Sequence, residues 1–127
     1  YSEDLVKDTL DDIHQIIKNN NISVLLGFSQ GANVVDTYLA YANEDNLIKR
    51  AIIMSGYSLV DPNRKKEINV PVVTVVSDID NVVLSKLNPT GYKEAYLVKH
   101  DKGHKLPTSN VTIRQLCYFM QSGSFVK

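Results

Sequence analysis

A serine flanked by glycines is the part of the sequence best suited to chemistry. Residues 27–31 read Gly-Phe-Ser-Gln-Gly, a G-x-S-x-G pattern centred on Ser29. An apolar run over Ile22–Phe28 precedes the serine, and a segment of helical character over Gln30–Ala42 follows it. This motif between a strand and a helix is typical of a nucleophile elbow, a sharp turn that exposes a serine hydroxyl. The sequence therefore predicts a nucleophilic serine, against the alternative of a glycine-rich turn that only packs the helix on the strand.

The residues next to the serine have predicted roles in the same turn. Phe28 ends the strand, and we expect side chains at Gly27 and Gly31 to collide in so tight a turn, which would explain both glycines. The backbone N–H of Gln30 begins the following helix, at the positive end of the helix dipole. It can therefore stabilise the negative oxygen that forms when a serine attacks a carbonyl group.

Histidine is the expected partner of such a serine, because a serine hydroxyl is a weak nucleophile until a base takes its proton. The chain has three histidines, His14, His100 and His104. In folds with a nucleophile elbow the histidine follows the serine and the acid along the chain, which leaves His100 and His104. His104 lies in a turn between Gly103 and Pro107 that can carry an imidazole over a strand end, whereas His100 suits a structural hydrogen bond at the strand end. The sequence favours His104 as the base.

Two aspartates after a later apolar run could orient the histidine. Asp78 and Asp80 follow the run Val70–Val76. A carboxylate at this place can accept a hydrogen bond from the imidazole, fix its tautomer and stabilise the imidazolium. Either aspartate could instead cap a short helix that begins near Val82. Spacing alone favours Asp80 only slightly, and both remain candidates.

Apolar periodicity gives the elements that must position these residues. Helices are predicted over residues 2–18, 30–42, 83–87 and 109–120, strands over 22–28, 50–54, 70–76 and 94–99, and a polar loop over 61–67. Apolar strands alternating with helices predict an α/β fold with about four mostly parallel strands flanked by helices. Ligands bind beyond the carboxyl ends of the strands in such sheets, and the candidate residues all follow a predicted strand.

Composition argues against several other classes of protein. The 14 Lys+Arg balance the 14 Asp+Glu, and no basic stripe is present, so binding to nucleic-acid phosphates is not expected. No apolar run approaches the roughly 20 residues of a membrane-spanning helix. The single cysteine, Cys117, excludes an intrachain disulfide and is expected on the buried face of the last helix with Val111, Ile113, Leu116 and Met120. No spacing of metal ligands or phosphate-binding loop predicts a metal or a cofactor, and the absence of a secretory signal favours the cytoplasm.

Four stretches of the sequence together resemble one family. Residues 27–32, 51–57, 70–83 and 100–107 are similar to the elbow, the second strand, the third strand with its acid loop, and the histidine loop of FSH-type serine hydrolases. The resemblance implies an alpha/beta-hydrolase fold with Ser29 as nucleophile, Asp80 as acid and His104 as base. Two positions depart from the family pattern. Ser77 stands where glycine is usual, and Lys102 stands where a second glycine is common.

The resemblance also implies a segment ahead of the first helix. Alpha/beta-hydrolases have strands and a loop there, and the loop supplies a second oxyanion N–H. Residues 1–127 are therefore expected to form the C-terminal portion of a single alpha/beta-hydrolase domain that lacks its N-terminal part. The first strand of this portion is expected to expose an unpaired edge.

The expected function is hydrolysis of a small-molecule carboxylic ester or thioester through an acyl-serine intermediate, without a cofactor. One alternative is an acyl-protein thioesterase or carboxylesterase, whose elbow is also Gly-Phe-Ser-Gln-Gly, although Ala32 stands where that group tends to have a further glycine. Another alternative is a non-catalytic fragment or interaction module that keeps the fold but lacks the complete oxyanion hole.

Overall fold

A parallel sheet with helices on both faces forms the described part of the protein. The computed structural model describes residues 3–43, 45–56, 68–80 and 92–126. Its elements are α1 (Glu3–Asn19), β1 (Val24–Phe28), α2 (Gln30–Tyr41), β2 (Arg50–Met54), β3 (Val72–Ser77), β4 (Ala95–His100) and α3 (Asn110–Ser122). The helices and strands predicted within these ranges are all present, with ends displaced by at most two residues. The helix predicted over 83–87, the loop over 61–67, Tyr57 and residues 81–83 lie outside the described residues.

The four strands are parallel and lie side by side in the order β1-β2-β3-β4. This arrangement confirms the predicted α/β class. Because the strands run in the same direction, their carboxyl ends meet at one edge of the sheet. Phe28 lies opposite Met54, and Ser77 lies opposite His100, so the residues that follow β1, β3 and β4 emerge at that edge.

The two central strands are apolar because helices or loops cover both of their faces. Every residue of β3 is buried, as are four of the five residues of β2. On one face, Ile53 and Val72 belong to a core cluster with α1 and α2, in which Tyr38 of α2 is fully buried. On the other face, Val73 packs in a cluster with Phe119 of α3.

Strand β1 is an outer strand of the described sheet. It pairs with β2 on one side, and the side chain of Leu26 is 49% exposed.

An asparagine, Asn21, forms the turn before β1. Helix α1 ends at Asn19, and two residues later Asn21 adopts a positive φ of 53°, a conformation that asparagine tolerates better than most residues. The N–H of Ile22 then donates to the carbonyl oxygen of Ile17 and directs the chain back into the sheet.

Helix α3 corrects the prediction for its buried face. Cys117 is exposed, and Val111 and Ile113 are 65% and 43% exposed. The prediction is confirmed for Leu116, which is buried together with Phe119, and Met120 is partly buried against the same cluster. The physical reason is that α3 contacts the sheet along a narrow stripe, so apolar residues on the neighbouring faces of the helix remain in solvent.

Candidate active site

Ser29 occupies the turn between β1 and α2 in a conformation that few non-glycine residues adopt. Its φ is 57° and its ψ is −119°, which lies outside the regions favoured by L-residues. Its N–H donates to the carbonyl oxygen of Met54 over 2.9 Å, which extends the β1–β2 pairing by one residue before the chain turns. Non-glycine residues with such dihedral angles cost about 1–3 kcal/mol and cluster at functional sites. The sharp turn that the sequence predicted is therefore present at the carboxyl end of β1.

The two glycines of the turn are not equivalent. A Cβ atom at Gly27 would lie 2.4 Å from the carbonyl oxygen of Gly31 and 2.8 Å from the Cα atom of Ala32. A Cβ atom at Gly31 would meet nothing within 4 Å among the described residues. The steric prediction is correct for Gly27, which the backbone of α2 crosses closely, and wrong for Gly31, which lies on the exposed side of that helix.

His104 reaches Ser29 from the loop that follows β4. Its Nε2 atom lies 3.0 Å from the Ser29 Oγ atom, within hydrogen-bond distance. The ring also packs against the ring of Phe28, with centroids 5.1 Å apart and an angle of 40° between the ring planes. The side chain is 17% exposed, so the imidazole is largely shielded yet remains accessible from the edge of the sheet.

Asp80 rather than Asp78 lies beside the imidazole. The Oδ2 atom of Asp80 is 2.9 Å from the Nδ1 atom of His104, and its side chain is 2% exposed. Asp78 is 73% exposed at the side chain and lies 3.7 Å from the ammonium group of Lys99. The N–H of Asp80 donates to the carbonyl oxygen of Ser77 over 3.2 Å, so a tight turn directs the second aspartate inward.

The other two histidines have different partners. The Nδ1 atom of His100 accepts a hydrogen bond from the N–H of Lys102 over 3.1 Å, which matches the predicted structural role at a strand end. Burial lowers the pKa of His100 and the nearby Lys102 lowers it further, although Asp101 and Asp80 act in the opposite direction. His14 contacts the hydroxyl of Tyr38 at 2.7 Å and Asp45 at 3.1 Å, on the α1–α2 side of the molecule.

One contact at this edge was not predicted from the sequence. The Ser77 Oγ atom accepts a hydrogen bond of 3.0 Å from the N–H of Gly103, the residue before His104. Ser77 is fully buried, and Gly103 has a φ of 69°, in the region that favours glycine. The signal in the sequence was the serine at a position where the family pattern has glycine.

The side chains of Ser29, His104 and Asp80 are arranged so that a proton can pass from the serine hydroxyl to the imidazole. A carboxylate holds one imidazole nitrogen, and the other nitrogen faces a hydroxyl, so the imidazole can accept the hydroxyl proton while the carboxylate stabilises the resulting imidazolium. The N–H of Gln30, at the first residue of α2, has no acceptor within its own helix and is the candidate oxyanion donor. Within the described ranges, no three His, Cys, Asp or Glu side chains group as a metal site.

Comparison with known proteins identifies the family. A model of the family described as serine hydrolase (FSH1) matches residues 2–116. The chain belongs to the FSH1 serine hydrolase family. The matched range of this FSH1-family chain includes Ser29, Asp80 and His104. No curated protein matches the chain.

A solved structure supports the same fold for the FSH1-family chain. The protein Atu2452 of unknown function from Agrobacterium tumefaciens superimposes with a TM-score of 0.65 at 19% sequence identity. The match covers 89% of this chain and 61% of that protein, so the FSH1-family chain spans less than two thirds of its structural neighbour. At this identity the likeness concerns the fold. None of the helices in the described ranges is long and apolar enough to cross a membrane.

Proposed function

We propose that the protein is a serine hydrolase that cleaves a small-molecule carboxylic ester or thioester through an acyl-serine intermediate. Ser29 is the nucleophile, His104 the general base and Asp80 the residue that orients and stabilises the imidazole. The observation that carries the proposal is the continuous pair of contacts from Ser29 Oγ to His104 Nε2 at 3.0 Å and from His104 Nδ1 to Asp80 Oδ2 at 2.9 Å.

In the first half of the proposed reaction, Ser29 Oγ attacks the carbonyl carbon of the substrate. The hydroxyl proton passes to Nε2 of His104, and a bond forms between Oγ and the carbonyl carbon. The carbonyl oxygen becomes negative and is stabilised by the N–H of Gln30. When the tetrahedral intermediate collapses, the bond to the alcohol or thiol breaks, and the leaving group takes the proton from His104. The product of this half is an ester between the acyl group and Ser29.

In the second half, water replaces the leaving group. His104 Nε2 accepts a proton from water, and the hydroxide oxygen attacks the acyl carbon. The new tetrahedral intermediate expels Ser29 Oγ, which regains its proton from the imidazolium. A carboxylic acid leaves and the enzyme returns to its starting state. Asp80 remains ionised throughout and accepts a hydrogen bond from Nδ1–H of His104. Its negative charge stabilises the imidazolium, and protonation of the carboxylate would remove that charge.

Burial of Asp80 supports its assignment as the acid, in preference to Asp78, which lies at the surface beside Lys99. A carboxylate whose side chain is 2% exposed requires strong hydrogen bonds to remain ionised, and the imidazole of His104 supplies one. The exposed Asp78 has no comparable contact with a histidine in the described ranges. The unusual backbone of Ser29 adds independent support, because strained dihedral angles persist where the surrounding structure holds a reactive group in place.

A fluorophosphonate probe tests the proposal directly. The probe reacts with serines that a base has activated, so we expect covalent labelling at Ser29, found by mass spectrometry of the peptide that contains it. Ser29→Ala is the blank, and Ser55→Ala is the matched control, because Ser55 also follows a strand at the same edge and has a positive φ of 51°. A folded chain that is not labelled at Ser29, or that is labelled equally in the Ser29→Ala variant, would refute the assignment.

A comparison of substrates separates a hydrolase of small molecules from an acyl-protein thioesterase. Short-chain p-nitrophenyl esters and S-palmitoyl peptides present the same acyl chemistry with different leaving groups and chain lengths. Preference for the small esters supports the proposal as stated, whereas preference for the palmitoyl peptide favours an acyl-protein thioesterase. Labelling at Ser29 without turnover of either substrate favours a module in which the oxyanion hole is incomplete.

A further inference from the structure

Ser77 is the last residue of β3 and contacts both loops that carry the proposed acid and base. Its carbonyl oxygen accepts the N–H of Asp80 over 3.2 Å, which closes the turn of the acid. Its side-chain Oγ accepts the N–H of Gly103 over 3.0 Å, which holds the residue directly before His104. One buried residue therefore joins the two segments whose spacing sets the contact between His104 and Asp80.

The two contacts of Ser77 can be separated by mutation, because one uses its backbone and the other its side chain. The carbonyl contact uses the backbone and survives any substitution at this position, whereas the contact to Gly103 requires a hydroxyl acceptor. Ser77 has no exposed surface, so water has no open route to replace that acceptor. A buried N–H that loses its partner is destabilising, and the loop around Gly103 can relieve this by moving to another arrangement.

We propose that Ser77 is a positioning residue for the hydrolase reaction, which sets the place of His104 by holding the N–H of Gly103. This inference rests on the proposed function for its effect on turnover, but the hydrogen bond itself can be tested without turnover. The contact with Gly103 uses the side-chain oxygen of Ser77 and not its backbone. The histidine loop of this chain thus depends on a side-chain contact that a glycine cannot make.

The expected effect falls on the chemical step. Misplacement of a catalytic group by about 1 Å can reduce a rate about 100-fold. For Ser77→Ala we expect kcat to fall about 10- to 100-fold with KM within about twofold, since Ser77 does not itself contact the substrate. The rate of fluorophosphonate labelling at Ser29 should fall by the same factor, because it depends on the same proton transfer to His104.

Thr74→Val is the matched control. Thr74 lies on the same strand and is 1% exposed, and its hydroxyl donates to the carbonyl oxygen of Tyr96 on β4 over 3.3 Å. The control therefore removes another buried hydroxyl contact between β3 and β4 at a distance from the catalytic edge. Ser77→Cys is the second test variant, because it keeps the side-chain volume nearly unchanged while sulfur is a weak acceptor.

The experiment measures kcat and KM, labelling at Ser29, amide hydrogen exchange at Gly103 and the low-field imidazole Nδ1 proton of His104. For Ser77→Ala and Ser77→Cys we expect faster exchange at Gly103, a broadened or missing imidazole signal and the fall in kcat. Thr74→Val should keep all four measurements at wild-type values. The exchange and imidazole measurements remain informative in a chain without turnover, so failure of the proposed function is distinguishable from failure of this inference.

Three outcomes would overturn the positioning role. Unchanged exchange at Gly103 in Ser77→Ala would mean that the hydrogen bond does not hold the loop. Wild-type behaviour of Ser77→Cys would mean that side-chain volume matters rather than the acceptor. An equal loss of kcat in Thr74→Val would mean that the effect is a general loosening of the sheet.

Discussion

The two glycines of the elbow should respond to the same substitution in opposite directions. A Cβ atom at Gly27 would lie 2.4 Å and 2.7 Å from two backbone atoms of Gly31, and 2.8 Å from the backbone of Ala32. Ordinary van der Waals contact begins near 3.4 Å. The closest approach falls about 1 Å short of that distance, and no side-chain rotation can relieve it because all three neighbouring atoms belong to the backbone.

The magnitude follows from the need to move α2 away from β1. Overpacking of this kind costs about 1–3 kcal/mol or more, and purely backbone contacts place Gly27→Ala at about 3 kcal/mol. For a domain of this size, 1 kcal/mol corresponds to about 4 °C in Tm, so Tm should fall by about 12 °C. Gly31→Ala meets no obstacle among the described residues and lies in a helix, so it should stabilise the protein by up to about 1 kcal/mol.

Thermal unfolding followed by circular dichroism, supported by urea titration, measures both changes. Each variant adds one methyl group, and the two positions lie four residues apart in the same turn. Each variant therefore serves as the control for the other. A wild-type Tm for Gly27→Ala, or an equal loss of stability in both variants, would contradict a steric clash confined to Gly27. The second result would mean that the turn requires glycine flexibility at both positions rather than space at one.

Three further outcomes follow from the described contacts. Asp80→Asn should lower kcat about 10³- to 10⁴-fold by removing the anionic acceptor of the imidazole, whereas the exposed Asp78→Asn should stay within about twofold, and equal losses would contradict the assignment. Cys117 should react with a thiol reagent in the folded protein at nearly the rate of the unfolded chain, and protection would contradict its exposure. His100 has a lowered pKa, so the unfolded chain takes up its proton first as the pH falls below about 6.5, and stability declines in that range. His100→Asn, which keeps an acceptor for the N–H of Lys102, should flatten that decline in urea titrations, and an unchanged pH dependence would count against the shift.

Local patterns were sufficient to predict the sheet and the elbow. Alternation of apolar runs with helical segments depends on short-range spacing, and the described elements agree with it. The position of Ser29 followed from the same pattern, because a strand that meets a helix through G-x-S-x-G has few ways to turn. The order of serine, acid and histidine along the chain then placed all three candidates at one edge of a parallel sheet.

The remaining details depend on contacts between distant segments. Asp78 and Asp80 have similar neighbours in the sequence, and only the turn closed on Ser77 separates an exposed carboxylate from a buried one. The exposure of Cys117 depends on how wide a stripe of α3 meets the sheet, which periodicity does not specify. The hydrogen bond between Ser77 and Gly103 joins residues 26 positions apart, and no periodic pattern in the sequence predicts it.

The spacing of the site along the chain has a consequence for folding. The contact between Asp80 and His104 closes 24 residues, whereas the contact between Ser29 and His104 closes 75. Closure of a longer loop costs more conformational entropy, and contacts of large sequence separation slow folding. Asp80 and His104, the proposed acid and base, can therefore meet as soon as β3 pairs with β4, while Ser29 joins them only after β1 and β2 have joined the described sheet. If Ser29 is the nucleophile as proposed, its labelling during refolding reports when the four described strands have assembled.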